Sequence, residues 1–219
     1  MLLSEGLALA SRFYRAFGHV GERGPADGEP LMVIPGFLAT DRTTLGLQRA
    51  LAGAGYRVSG WGLGVNKGVR EDTLESIVAR IERFGRGRKV TLVGWSLGGL
   101  YAREAAKLRP DLVARVATLG SPFSGDPHNN NAWRLYELVA RHRVDKPPIE
   151  TIVAQKPPVP TLAIWSRRDG VVAVTGARGE PGERDRQVEL DCTHMGFAVS
   201  GKAIAKVVET IQAFSSNPA

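Results

Sequence analysis

Cysteine occurs once in the 219 residues, at Cys192. No internal disulfide can form, and the cysteine usage gives no argument for an oxidising compartment. Four histidines are present, His19, His128, His142 and His194. No two of them stand at metal-ligand spacing, so no metal site and no cofactor are expected. No apolar run reaches the 18 residues a membrane-spanning helix needs. The net charge is +7, yet no block of five like charges appears, and no helix-turn-helix, zinc-finger or RNA-binding signature accompanies the surplus. That excludes nucleic acid as the expected partner and leaves an Arg-rich solvated surface with modest steering of anionic substrates. The apolar Met1–Ala10 stretch lacks the positive n-region of a signal peptide, its first charge being Glu5. A cytoplasmic protein is expected.

What is present is a regular alternation. The chain is long enough to bury one full core, and a single domain over 1–219 is expected. Short apolar strands are predicted at Leu31–Ile34, Tyr56–Ser59, Val90–Gly94, Val113–Leu119, Thr161–Ser166 and Gln187–Leu190. Between them lie helical patterns at Thr43–Ala54, Glu71–Phe84, the stretch ending near Leu108, and Lys202–Phe214. Strands alternating with helices of this length imply βαβ units, a mostly parallel sheet and helices on both of its faces.

Two segments fall outside the rhythm. Residues 1–20 carry a helical apolar stripe that includes Leu2, Leu3, Leu7, Phe13 and Phe17. The favoured reading is a helix packed on the domain; weak contact with an anionic membrane surface is the minor one. Residues 123–160 form an excursion between two strands, with one helix-like piece set between asparagine- and proline-rich runs. A connection of this length commonly covers an active-site edge, so it is a candidate lid.

The chemistry concentrates where strands end. Gly94-Trp95-Ser96-Leu97-Gly98 follows an apolar strand and opens a helix, the required context of a G-x-S-x-G nucleophile elbow. The turn is tight and strand and helix cross closely, so side chains two residues either side of Ser96 would collide. A serine hydroxyl needs a base, and the base needs an orienting acid. Ligands of parallel sheets bind beyond the carboxyl ends of the strands. His194 lies in the loop after the last strand and is the expected base. Asp169 directly follows its strand and is the expected acid, with Asp126 and Asp191 as competitors. Leu97 N–H, at a helix N-terminus just after the nucleophile, is one natural donor to the oxyanion. Phe37 N–H, in the loop Pro35-Gly36-Phe37-Leu38 after the first strand, is the expected second. Trp61, Trp95, Phe123 and Met195, near strand ends, are candidate pocket residues.

These motifs, with Ser166-Arg167-Arg168-Asp169-Gly170, Thr193-His194-Met195-Gly196, Gly60-Trp61-Gly62-Leu63-Gly64 and Gly120-Ser121-Pro122-Phe123, make the chain resemble a compact α/β-hydrolase of the bacterial lipase/esterase type, from about Leu31 to Phe214. The resemblance implies a Ser96–Asp169–His194 triad that cleaves small-molecule or lipid carboxylic esters through an acyl-enzyme. Many relatives have His-Gly where this chain has Pro35-Gly36. The first strand stands only about 60 residues before the elbow, so leading antiparallel strands are missing and a minimal sheet of about six strands is expected. A thioesterase or acyltransferase uses the same triad and stays open; a non-catalytic binding module on a hydrolase scaffold is the remote alternative.

Overall fold

The computed structural model describes residues 28–125 and 153–217. The helix expected over 1–20 lies outside them, as does 126–152, the middle of the expected excursion. The short apolar runs become β1 (Pro30–Ile34), β2 (Arg57–Gly60), β3 (Val90–Trp95), β4 (Val113–Leu119), β5 (Thr161–Trp165) and β6 (Arg186–Glu189). The periodic segments become α1 (Leu45–Gly53), α2 (Thr73–Gly85), α3 (Leu97–Leu108) and α6 (Gly201–Ser216). Two further helices, α4 (Val174–Arg178) and α5 (Gly196–Val199), span five and four residues, too short for a 3.6-residue period to register in the sequence.

Among the described residues the six strands form one sheet in the order β2-β1-β3-β4-β5-β6, and every neighbouring pair is parallel. The alternation of side chains along each strand divides the core in two. Leu31 and Val33 of β1, Val93 and Trp95 of β3, and Ala117 and Leu119 of β4 face one side, where Leu47 and Leu51 of α1 and Val207 and Ile211 of α6 cover them. Met32 and Ile34, Val90 and Leu92, and Val113 and Val116 face the other, under Ile77 and Ile81 of α2 and Tyr101, Ala102 and Ala105 of α3. Strands covered on both faces must be apolar throughout, which is why β1 reads as an unbroken Pro-Leu-Met-Val-Ile. No described helix is long and apolar enough to cross a membrane.

A guanidinium is buried beside α3. Arg103 of α3 is 1% exposed. Its Nη2 donates to the carbonyls of Ala154, Gln155 and Glu183 at 3.0, 3.2 and 3.1 Å, and its guanidinium lies 4.2 Å from the centre of the Phe123 ring. Burial pulls the guanidinium down to about 10, with Glu104 and Glu183 opposing the shift. The side chain thereby fastens two later stretches of chain, at 154–155 and at 183, to the helix that follows Ser96.

Strand β3 and helix α3 meet so closely that glycine is a steric requirement. A Cβ on Gly94 would stand 2.3 Å from the carbonyl oxygen of Gly98, and one on Gly98 would stand 2.2 Å from that of Ile34. By contrast a Cβ on Gly53, at the end of α1, would meet nothing within 4 Å. Gly98→Ala should therefore destabilise the fold by about 2–4 kcal/mol, since main chain cannot step aside. Gly53→Ala should be neutral or raise stability by up to about 1 kcal/mol. Thermal melts of the two variants beside the parent measure the contrast.

Candidate active site

Strand order places a crevice between the carboxyl ends of β1 and β3. From β1 the chain proceeds to β2 on one side, and from β3 to β4 on the other. In open parallel sheets such a switch point is where ligands bind. Ser96 follows β3 there, and the loop Pro35–Ala39 follows β1.

Ser96 adopts φ 54° and ψ −123°, a conformation that costs a non-glycine residue roughly 1–3 kcal/mol. Its N–H donates to Leu119 O at 2.9 Å, and its carbonyl accepts the N–H of Gly99 at 3.0 Å, so the strained turn is held from both sides. Of the three described non-glycine residues at positive φ, Arg86 ends α2 as a left-handed cap. The other two, Leu38 and Ser96, belong to the two loops that face each other here. A Cβ on Gly36 would lie 3.1 Å from Ser96 Cβ, so only glycine lets the loop come this near the serine. Leu97 opens α3, where its N–H is among those no helical carbonyl reaches.

The Pro35–Ala39 loop is braced by Asn66, which is fully buried. Asn66 Nδ2 donates to Pro35 O at 2.9 Å. Its main chain accepts from Leu38 N at 2.7 Å and donates to Ala39 O at 2.9 Å. Its Oδ1 accepts from Gly68 N at 3.2 Å and from the Tyr101 hydroxyl at 3.3 Å. Phe37 thus sits in a loop tied on both sides to one side chain and its backbone. Asp41 adds a second brace, accepting from the N–H groups of Trp61 and Gly62, each at 3.0 Å.

His194 and Asp169 come together across 25 residues of sequence. His194 Nδ1 lies 2.7 Å from Asp169 Oδ2, and the Asp169 side chain is 1% exposed. The other carboxylate oxygen, Oδ1, accepts the N–H groups of Val171 and Val172 at 2.8 and 2.9 Å. A carboxylate oxygen only accepts, so Nδ1 is the donor to Asp169, and in the neutral form of the imidazole the lone pair then falls on Nε2. Asp191 takes no part: its side chain is 77% exposed and pairs with Arg168. Asp126 lies outside the described residues. Gly120 forms the floor beneath the acid, at φ 54°, where a Cβ would stand 2.8 Å from Asp169 Oδ2.

The two loops carrying these groups are cross-linked. Ser166 Oγ donates to Cys192 O at 2.6 Å and accepts from Arg168 N at 3.0 Å and Cys192 N at 3.3 Å. Trp95, the residue before Ser96, donates its indole N–H to His194 O at 3.1 Å, and its ring tilts against the imidazole with centres 5.6 Å apart. The histidine is therefore fastened both to the acid's loop and to the serine's strand.

The candidate pocket residues are placed unequally. Trp95 is buried in the core under His194. Trp61 is buried, stacked on Tyr101, and lines a cavity between the β2–α2 loop and α2. Phe123 is 1% exposed beneath Arg103 and against Gly179. Met195 is 48% exposed beside His194. Sequence reading overlooked Asn66, Asp41, Ser166 and Gly120 as site residues; an asparagine in Val65-Asn66-Lys67 offers no spacing signal that it will be buried. No cluster of three or more potential metal ligands occurs among the described residues.

A family model described as alpha/beta hydrolase fold matches residues 29–147. The chain belongs to this family. Among curated relatives, this α/β-hydrolase is similar to the triacylglycerol lipase of Pseudarthrobacter phenanthrenivorans, 31% identical over 107 residues, which cover 44% of this chain and 34% of that protein. It is also similar to the biotin biosynthesis bifunctional protein BioHC of Teredinibacter turnerae, 37% identical over 60 residues, covering 27% of this chain and 10% of that one. The α/β-hydrolase thus matches about a third or less of the length of these curated relatives. Among solved structures, the pyrethroid hydrolase PytH superposes with a TM-score of 0.62 at 19% identity, over 87% of this chain and 98% of that one. Other solved structures of the same fold carry esterase, thioesterase and lipolytic-enzyme names.

In this member of the α/β-hydrolase fold family Cys192 is 7% exposed and is hydrogen-bonded through its main chain to Ser166. Burial, with Asp169 and Asp191 adding to it, pushes the thiol up to about 11. Below that pH the group is a neutral thiol, and thiolate, the reactive form, accumulates only as pH approaches it. Ellman's reagent at pH 8 should leave the folded protein unmodified and release one equivalent after denaturation. Rapid modification of native protein is the contrary result.

Proposed function

We propose that the chain hydrolyses carboxylic esters through an acyl-enzyme, with Ser96 as nucleophile, His194 as base and Asp169 as orienting acid. The observation that carries this reading is the buried 2.7 Å bond between His194 Nδ1 and Asp169 Oδ2, on the sheet edge where Ser96 stands in its strained turn. His194 Nε2 takes the Ser96 proton as Oγ attacks the ester carbonyl, and Asp169 stabilises the imidazolium that forms. The N–H groups of Leu97 and Phe37 receive the developing oxyanion, each contributing about 3–4 kcal/mol. His194 returns the proton to the leaving alcohol. Water, deprotonated by the same nitrogen, then cleaves the acyl-serine. No cofactor enters any step. The substrates are small-molecule or lipid esters, as the esterase and lipase names among its relatives suggest.

Initial rates on p-nitrophenyl esters from acetate to palmitate test the reading. Ser96→Ala and His194→Ala should each cut kcat by a factor on the order of 10⁶, because the members act as a unit, and Asp169→Asn by about 10⁴. Absence of Ser96-dependent release from every ester, together with no covalent labelling of Ser96 by a fluorophosphonate, overturns the proposal.

Asn66 is assigned as a positioning residue for the oxyanion loop. Asn66→Ala should reduce kcat by about 10–100-fold while KM changes little, because the loop it braces matters most when the oxyanion forms. Affinity for a phenylboronic acid, which forms a tetrahedral adduct on the serine, should fall in step with kcat. A loss confined to thermal stability, with the boronate affinity unchanged, contradicts the assignment.

A further inference from the structure

The β2–α2 loop and the first turn of α2 enclose a cavity of about 410 Å³. Its lining is partly apolar, with buried Trp61 and with Leu63 and Val65, which are 38% and 45% exposed. It also carries charge, from Lys67 and Arg70 with Asp72 as the one lining carboxylate. Neither cation is engaged in an ion pair among the described residues. Two unmatched cations against one carboxylate leave the cavity positive.

Its position ties it to the crevice. Val65 and Lys67 flank Asn66, whose main chain pairs with Leu38 and Ala39 of the loop facing Ser96. Gly68, also lining the cavity, donates to Asn66 Oδ1, the atom that receives the Tyr101 hydroxyl. Trp61 stacks on Tyr101, about one turn along α3 from Ser96, with ring centres 6.5 Å apart. The cavity is therefore joined through Asn66 to the Pro35–Ala39 loop that faces Ser96.

We infer that this cavity is a subsite for an anionic end of the substrate: an ester bearing a carboxylate or phosphate, separated from the reacting carbonyl by an apolar chain. The chain lies along Trp61, Leu63 and Val65, and the anion meets Lys67 and Arg70. This rests on the ester-hydrolase reading above and narrows it to a substrate class. A neutral ester of equal length gains the apolar contacts and forgoes the charged ones.

The test compares mono-p-nitrophenyl adipate with p-nitrophenyl hexanoate, in the parent and in Lys67→Gln/Arg70→Gln. The ratio of kcat/KM for the anionic over the neutral ester should fall about tenfold in the double variant, and Lys67→Glu/Arg70→Glu should lower it further. The preference of the parent should shrink as salt is raised from 20 to 500 mM, values chosen to span the screening range. A ratio that does not change in either variant overturns the subsite. A parallel titration of Ser96→Ala with monomethyl adipate, read by calorimetry, needs no turnover. Binding weakened about tenfold by the double substitution supports the subsite, and binding that is absent or unaffected overturns it. Turnover of the neutral hexanoate reports separately on the hydrolase reading. Glycerophosphate monobutyrate and butyryl phosphatidylglycerol vesicles in a further arm separate a free anionic ester from a lipid headgroup.

Discussion

The close approach of α3 to the ends of β1 and β3 is the constraint on which the rest depends. With Gly94 and Gly98 lacking side chains, the helix starts within van der Waals contact of two strands' main chain. That proximity forces Ser96 into φ 54°, lifts it out of the strand, and leaves the first N–H groups of α3 beside it. The same proximity brings Gly36 against Ser96 Cβ, so the loop after β1 inherits its position from the elbow. Strain and function are here two aspects of one packing decision. The turn is unfavourable locally and persists because the strand before it is buried throughout and the helix after it is packed tightly along one face.

A strained turn positions a nucleophile only if its partners are equally fixed, and buried polar side chains fix them. Asn66 ties the Pro35–Ala39 loop, Asp41 ties the loop beside it, and Ser166 ties the loop of Asp169 to that of His194. Each lies where the main chain leaves regular structure and its N–H and C=O groups would otherwise lack partners. Left unsatisfied, such groups cost about 1–3 kcal/mol each, so these side chains stabilise the loops and orient them together. The indole of Trp95 closes the set, joining the strand that carries Ser96 to the carbonyl of His194. Preorganisation of the proposed site thus belongs to hydrogen-bonded loops on a rigid sheet edge rather than to Ser96, His194 and Asp169 alone.

The sequence announces the proposed triad more clearly than the side chains that brace it. The elbow is legible because its glycines answer to a steric rule at fixed spacing, and the six strands because runs such as Leu-Met-Val-Ile have only one place in a parallel sheet. Asp169 and His194 are legible through topology, each falling just beyond a strand. Asp191 also falls just after a strand but stands only three residues from His194, which favours Asp169; in the fold Asp191 turns outward to Arg168 while the Asp169 side chain lies buried above Gly120. Asn66 and Ser166 carry no such sign. Their roles arise from contacts across 31 and 26 residues of chain, which no local pattern encodes. The short helices α4 and α5 are hidden for a different reason, since one turn is stabilised by its tertiary surroundings and leaves no periodicity.

The two ends of the sheet divide the labour. At the amino end, Arg115 of β4 pairs with Glu29 at 2.5 Å and donates to Ser215 Oγ at 3.0 Å, linking the entry to β1 with the last turn of α6. Arg57 of β2 donates to Phe84 O at 2.9 Å and lies over the Phe84 ring, fastening the end of α2. These contacts are long-range, partly buried and without strain, and they lock strands and helices in register. The carboxyl end gathers the opposite features: Leu38 and Ser96 at positive φ, exposed Leu63, Val65 and Met195, and Lys67 and Arg70, which form no ion pair among the described residues. A group of exposed apolar residues beside charge is the kind of surface that a bound molecule can cover. Their concentration at the end that also carries His194 and Asp169 follows from a sheet whose stability is secured elsewhere.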